Sequence, residues 1–182
     1  SSPRYFGAFF PLVVCFIWLL NLPLTVAAEI PQYKLHNPHY GYNPRLLGYS
    51  LAIDNETIIA GAPGTIVEDL YAGGVAEVFA LDAQGFWVRQ AELTASDALD
   101  PPLVGSFGCS VSISGDTAVV GACEDDEEAR GSGAAYIYHR NEFGFWREVA
   151  KLKAPEPGTK ENFGHSVAIF QNTIVIGAPR DD

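Results

Sequence analysis

Basic residues are scarce in this 182-residue chain: 11 Lys and Arg stand against 22 Asp and Glu, a formal charge of −11 at pH 7. No basic face is left over to neutralise phosphates, so nucleic acid and other polyanions are excluded as partners. Histidine is scarcer still. His36, His39, His139 and His165 fall in three different phases of the chain, and no Ser-His-Asp or Cys-His arrangement can be read from them. They read as ordinary strand or loop histidines. A sustained helical apolar period is also missing from every window, which makes the expected fold all-β. Cysteines number three, and two of them, Cys109 and Cys123, bracket one short segment. Apolar residues, at 48%, are ample for a packed core.

The first residues carry a single Arg4, followed by 24 uncharged positions from Tyr5 to Ala28. A positive start, an apolar centre in "AFFPLVVCFIWLL" and a small-residue end in "VAA" form the pattern of a secretory signal peptide over residues 1–28. A signal anchor competes, because a stretch of this length can span a bilayer. Pro11, Pro23 and the "VAA" end favour cleavage before Glu29. The expected location is therefore secreted or cell-surface. Since the sequence begins without Met and ends on "GAPRDD", both termini read as the edges of a fragment.

Three segments align without a gap: "LGYSLAIDNETIIAGAP" (47–63), "FGCSVSISGDTAVVGAC" (107–123) and "FGHSVAIFQNTIVIGAP" (163–179). Gly48, Gly108 and Gly164 match, as do Ser50, Ser110 and Ser166, and the closing pair begins with Gly61, Gly121 and Gly177. A second block repeats "GGVAEVFALDAQGFWVRQAELTA" (73–95) as "SGAAYIYHRNEFGFWREVAKLKA" (132–154). The period is 60 residues, then 56. Within each copy, β-branched runs flank links of turn-type residues, "DNE", "SGD" and "FQN", and a second hairpin is predicted across "LDAQGF" and "RNEFGF". Each repeat is thus four short antiparallel strands. Such a unit cannot bury both faces alone and should stack as a blade of a β-propeller.

"QYKLHN" (32–37) looks like the fourth-strand ends "AELTAS" and "AKLKAP": Leu35 precedes Leu93 by 58 residues, and Leu93 precedes Leu152 by 59. It is predicted to seal the ring as the outer strand of the last blade. The expected organisation is a signal peptide (1–28), sealing strand and linker (29–46), a first blade (47–106), a second (107–162) and the start of a third (163–182).

The alternation of Phe107-Gly108 and Phe163-Gly164 with Gly-Ala-Pro resembles the FG-GAP repeat, the blade unit of the propeller in integrin α chains and of many secreted proteins. That resemblance implies extracellular recognition of a protein or glycan, with cell adhesion as the broad role. It implies seven blades, which at this period need on the order of 400 residues. The alternative it leaves open is an accessory propeller of a secreted hydrolase, such as a glycolipid-anchor phospholipase. Membrane association would come through further C-terminal sequence or an uncleaved N-terminal anchor. Integrin blades often hold calcium in a loop between the Phe-Gly and Gly-Ala-Pro strands; the three-residue links here are too short to encircle the ion, so calcium is not carried over to them.

The acidic run "CEDDEEARGSG" (123–133) is the most charged stretch. It could hold a cation, calcium being the ion such carboxylates suit, and Asp125 and Asp126 have counterparts in Asp181 and Asp182 after the third Gly-Ala-Pro. The competing reading, which the lack of alternate-residue spacing favours, is a solvated loop without a cofactor. Trp87 and Trp146, at equivalent places after Gly-Phe, are expected to pack between blades. Asn55 in "NET" is a glycosylation sequon on a predicted turn. Cys109 and Cys123 read either as a disulfide or as two free buried thiols. With a three-residue turn their pairing is a long diagonal unless a bulge shifts the register.

Overall fold

The computed structural model describes residues 35, 46–65, 73–98 and 105–181. Residues 1–34 and 36–45, which hold the predicted signal peptide and nearly all of the sealing strand and linker, lie outside the described residues, as do Cys15, His36, His39 and Asp182. Within them the chain is all-β. Strands β1 (Ser50–Asp54), β2 (Thr57–Ala62), β3 (Val75–Leu81) and β4 (Trp87–Leu93) form one antiparallel sheet in sequence order. The next sheet repeats the pattern with β5 (Phe107–Ser114), β6 (Thr117–Ala122), β7 (Ala134–Arg140) and β8 (Trp146–Leu152), and β9 (Ser166–Phe170) with β10 (Thr173–Gly177) forms a hairpin.

The inner hairpins turn more tightly than the sequence suggests. Asp54 pairs with Thr57, Ser114 with Thr117 and Phe170 with Thr173, so the links are two residues long. Asp54, Ser114 and Phe170 belong to the strands. The first turn residue takes a positive φ each time: Asn55 at 48°, Gly115 at 57° and Gln171 at 52°. Two-residue loops with left-handed backbone match the natural twist of the flanking strands, which offsets the cost at the two non-glycine positions. The outer hairpins are organised by a side chain. Asp82 Oδ1 accepts the amides of Gln84 (2.9 Å) and Phe86 (2.8 Å), and Asn141 Oδ1 those of Phe143 (3.0 Å) and Phe145 (2.9 Å). A short polar side chain that satisfies the turn's own amides fixes the hairpin locally.

Burial shows how the sheets stack. The main core lies between the two four-stranded sheets: Ile59, Val78 and Leu93 from the first meet Phe107, Val111, Val120, Tyr136 and Tyr138 from the second. The Phe107 ring lies edge-on to Tyr136 and Tyr138, with centroids 5.4 and 6.0 Å apart. Rings buried this fully contribute about 2–3 kcal/mol each. On the other face of the first sheet Leu35, 6% exposed, joins Ile58, Ala60 and Phe79, with Leu47 and Trp87 against them. The counterparts of those residues one repeat later, Ala118, Val120, Tyr138, Phe107 and Trp146, surround Leu93. Leu35 therefore sits on the first sheet as Leu93 sits on the second.

Candidate functional site

The signature residues build the joint between consecutive sheets. Gly108 and Gly164 have φ of 89° and 85°, a conformation that sends each carbonyl back toward the preceding blade. Gly108 O accepts the Ser50 hydroxyl at 2.8 Å, and Gly164 O accepts that of Ser110 at 2.7 Å. Beneath each carbonyl lies the glycine of the preceding Gly-Ala. A Cβ on Gly61 would come within 2.9 Å of the Gly108 carbonyl carbon, and one on Gly121 within 3.0 Å of that of Gly164, with the oxygens closer still. Gly48 and Gly177 close the same motif within their own hairpins, through Gly48 N–H to Gly61 O (2.9 Å) and Gly164 N–H to Gly177 O (3.1 Å). Phe107 is fully buried, whereas Phe163 is half-buried; its amide donates to Ser132 O at 2.8 Å. The serines were visible as matches, but their hydroxyl role was not. It needs two repeats in contact.

The acidic run does form the connection from β6 to β7, and its carboxylates are engaged by β8. Lys151 Nζ lies 2.9 Å from Asp125 Oδ2, 2.6 Å from Glu127 Oε2 and 2.5 Å from Asp97 Oδ2. Lys153 bridges Glu127 and Glu128, each at 2.7 Å. The Tyr136 hydroxyl donates between Asp97 (2.7 Å) and Asp125 (3.1 Å). Asp126 accepts the Gly131 amide at 2.5 Å. Burial raises the pKa of Asp97, but the hydrogen bonds from Lys151 and Tyr136 outweigh it and hold that carboxyl below its ordinary value. Burial works against the Lys151 ammonium too, and its three carboxylate partners overcome it, keeping the lysine charged well above its usual range. Asp125 is thus held by a lysine and Asp126 by a backbone amide, Asp181 is exposed at the far end of the third hairpin, and Asp182 lies outside the described residues. Lys151, Asp97 and Tyr136 were missed; the alternation of Lys151 and Lys153 opposite an acidic run was the available signal.

A second ionic group, also unforeseen, lies within the first sheet. Glu77 on β3 is fully buried and pairs across to Arg89 on β4, which also reaches Glu92 at 2.7 Å. Desolvation exceeds the help from Arg89 and pushes the Glu77 carboxyl above its ordinary pKa. Trp146 packs on the main core and donates its Nε1 to Gln90 Oε1 of the first sheet at 3.0 Å, with the Arg140 guanidinium 5.2 Å from its ring. Trp87 packs on the second cluster. Exposed His139 and half-buried Thr117 are 3.4 Å apart; His165 is exposed.

Cys109 and Cys123 are free thiols placed side by side. The register jumps between Phe107–Ala122 and Ser110–Gly121, so Gly108 and Cys109 bulge toward the end of β6. The Cys123 amide then donates to Cys109 Sγ at 3.1 Å. Asn55 is exposed at the first turn position, its Nδ2 donating to Asp54 Oδ1 at 3.1 Å, while the sequon's Thr57 is buried and accepts Arg140 Nη1 at 3.1 Å. Asp54 Oδ2 also takes the Gly115 amide (2.5 Å), and Ser114 Oγ the Gln171 amide (3.1 Å). These two contacts link the three turn tips in a row.

Antiparallel four-stranded sheets stacked face to face, each latched to the next through the same serine and glycine, are blades of the propeller class. The FG-GAP repeat family model matches residues 87–138 and 146–182, and the chain is an FG-GAP repeat protein. Each match opens on a fourth strand, β4 or β8, and continues into the next repeat, so the matched unit straddles the joint. None of the curated proteins compared with the chain matches it.

Proposed function

We propose that this FG-GAP protein is an exported, non-enzymatic recognition module that presents the connections between its strands to an extracellular protein or glycan, in adhesion or surface interaction. The observation that carries the reading is the connection after β6. Glu124, Glu127 and Glu128 are exposed there, with Lys151 and Lys153 paired to the Glu127 and Glu128 carboxylates and with Tyr136 and Lys151 holding the Asp125 side chain beneath them. A fixed surface loses little entropy when a partner docks, which is what recognition by loops on a rigid scaffold requires. Sheet-to-sheet packing fills the interior with side chains, so the partner meets the protein on those connections. Membrane attachment, where present, comes through sequence flanking the blades.

The test uses the full chain, fluorescently labelled and multimerised, on cells pretreated with protease or with glycosidases. Binding abolished by protease alone identifies a protein partner, and binding abolished by glycosidases a glycan. A triple variant Glu124→Gln, Glu127→Gln, Glu128→Gln should weaken that binding by tenfold or more. Absence of saturable binding to any cell type or to a glycan array would overturn the reading.

A further inference from the structure

Cys109 and Cys123 stand outside the repeat grammar, since the other copies carry Tyr49 with Pro63 and His165 with Pro179 at the same places. The bulge at Gly108 and Cys109 brings the first thiol against the end of β6, where the Cys123 amide donates to Cys109 Sγ at 3.1 Å. Both are half-buried, so a small reagent can reach them. The pair also touches the following repeat from both ends. Cys109 Sγ lies 3.6 Å from Gly164 O, and Cys123 O accepts Asn162 Nδ2 at 2.7 Å.

We propose that Cys109 and Cys123 form a reversible dithiol–disulfide couple that staples the inner hairpin of the second blade on reaction with a small-molecule disulfide of the oxidised-glutathione class. Cys123 is the first nucleophile. The neighbouring Cys109 side chain holds its thiol below the ordinary range, while the neighbouring Cys123 and burial push Cys109 up. The Cys123 thiolate attacks one sulfur of the reagent, the reagent's S–S bond breaks, and one thiolate leaves with the electron pair and takes up a proton. Cys109 then loses its proton and attacks the Cys123 sulfur of the mixed disulfide, forming the Cys109–Cys123 bond and releasing the second thiol. Two protein thiols are oxidised, and one reagent disulfide is reduced to two thiols. The staple removes the proton that Cys109 can offer to Gly164 O and leaves Ser110 Oγ to hold that carbonyl.

The experiment counts thiols by peptide mapping on the folded full chain, with Cys15 scored separately, before and after oxidised glutathione. Cys109 and Cys123 should both become resistant to alkylation, appear as one cross-linked peptide pair and retain no glutathione. The Tm should rise by roughly 6–12 °C on closing a loop of this length and fall back on reduction. In Cys109→Ser, Cys123 should keep a stable glutathione adduct and the rise should vanish. Persistent alkylation of both cysteines in the folded wild type, a mixed disulfide that never resolves, or equal Tm for oxidised and reduced protein would each overturn the proposal. The wild-type measurement decides even if the variant fails to fold.

Discussion

Replacing Gly121 by Ala tests the joint between the second and third repeats at its tightest point. The new Cβ would lie 3.0 Å from the carbonyl carbon of Gly164 and closer to its oxygen, which is backbone and moves only with the chain that carries it. Either the third hairpin moves away or the Gly164 carbonyl rotates, and both outcomes strip the Ser110 hydroxyl of its buried 2.7 Å acceptor. An orphaned buried hydroxyl costs about 1–3 kcal/mol. Residual overpacking adds about 1–3 kcal/mol. The expected loss is therefore about 2–6 kcal/mol. Gly115→Ala is the control, because nothing lies within 4 Å of its Cβ position and the strain at φ 57° costs only about 1–2 kcal/mol. Urea unfolding of the full chain supplies the free energies. Amide exchange supplies the location: Ile169 and Gln171 donate to Ser112 Oγ and Ser114 Oγ, each at 3.1 Å, and should lose protection in Gly121→Ala but not in Gly115→Ala. If Gly121→Ala costs no more than Gly115→Ala, or if those two amides stay protected, the joint does not work as described.

Lys151→Met leaves Asp97 and Asp125 facing one another across Tyr136 and should cost about 3 kcal/mol at neutral pH in a denaturant melt. Because the folded pKa of Asp97 is depressed, its contribution is present above the unfolded value near about 3.9 and is lost as pH falls through the folded pKa; the variant should show less of this acid loss. Glu77 has the opposite sign. Its raised folded pKa favours the folded state below about 4.3 and loses that contribution as pH rises through it, so Glu77→Gln should flatten the decline of Tm between mildly acidic and neutral pH. With Asp125 held by Lys151, chelator and millimolar calcium should leave the Tm of the full chain unchanged, and a shift of several degrees would return the acidic connection to candidacy as a cation site. Amino-terminal sequencing of exported protein should begin near Glu29; an intact leader on membrane-bound protein would favour the anchor.

The repeat made the strands legible. Three gapless copies fixed the phase, and β-branched runs separated by turn residues marked both hairpins of each blade, because strand pairing is a matter of local alternation and turn chemistry. The turn lengths were misread for a physical reason: Asp54 and Ser114 are good turn formers by composition, yet each pairs across the ladder, and the left-handed step falls on Asn55 and Gly115 instead. What escaped the sequence was whatever joins residues far apart. Asp97 meets Lys151 and Tyr136 only once two sheets are stacked, and nothing in "GGVAEVFAL" distinguishes the buried Glu77 from a surface charge. The cysteine pair lay between these cases. Its co-occurrence in one copy was plain, while the bulge that brings the sulfurs together is a register fact.

The serine latch runs in one direction only. Ser50 donates forward to Gly108, and Ser110 forward to Gly164, so each blade's first strand is completed by atoms that the chain supplies more than fifty residues later. A ribosome delivers residues in that same order. Every new blade therefore arrives at a neighbour whose hydroxyl is already waiting, and addition is favoured at the growing end. The separation each latch spans, 58 residues and then 54, also shows that the chain tolerates variation in length from one joint to the next. Insertions or deletions in the connection from β4 to β5 should leave assembly intact, whereas a single residue added between Ser110 and Gly121 would put every later blade out of step.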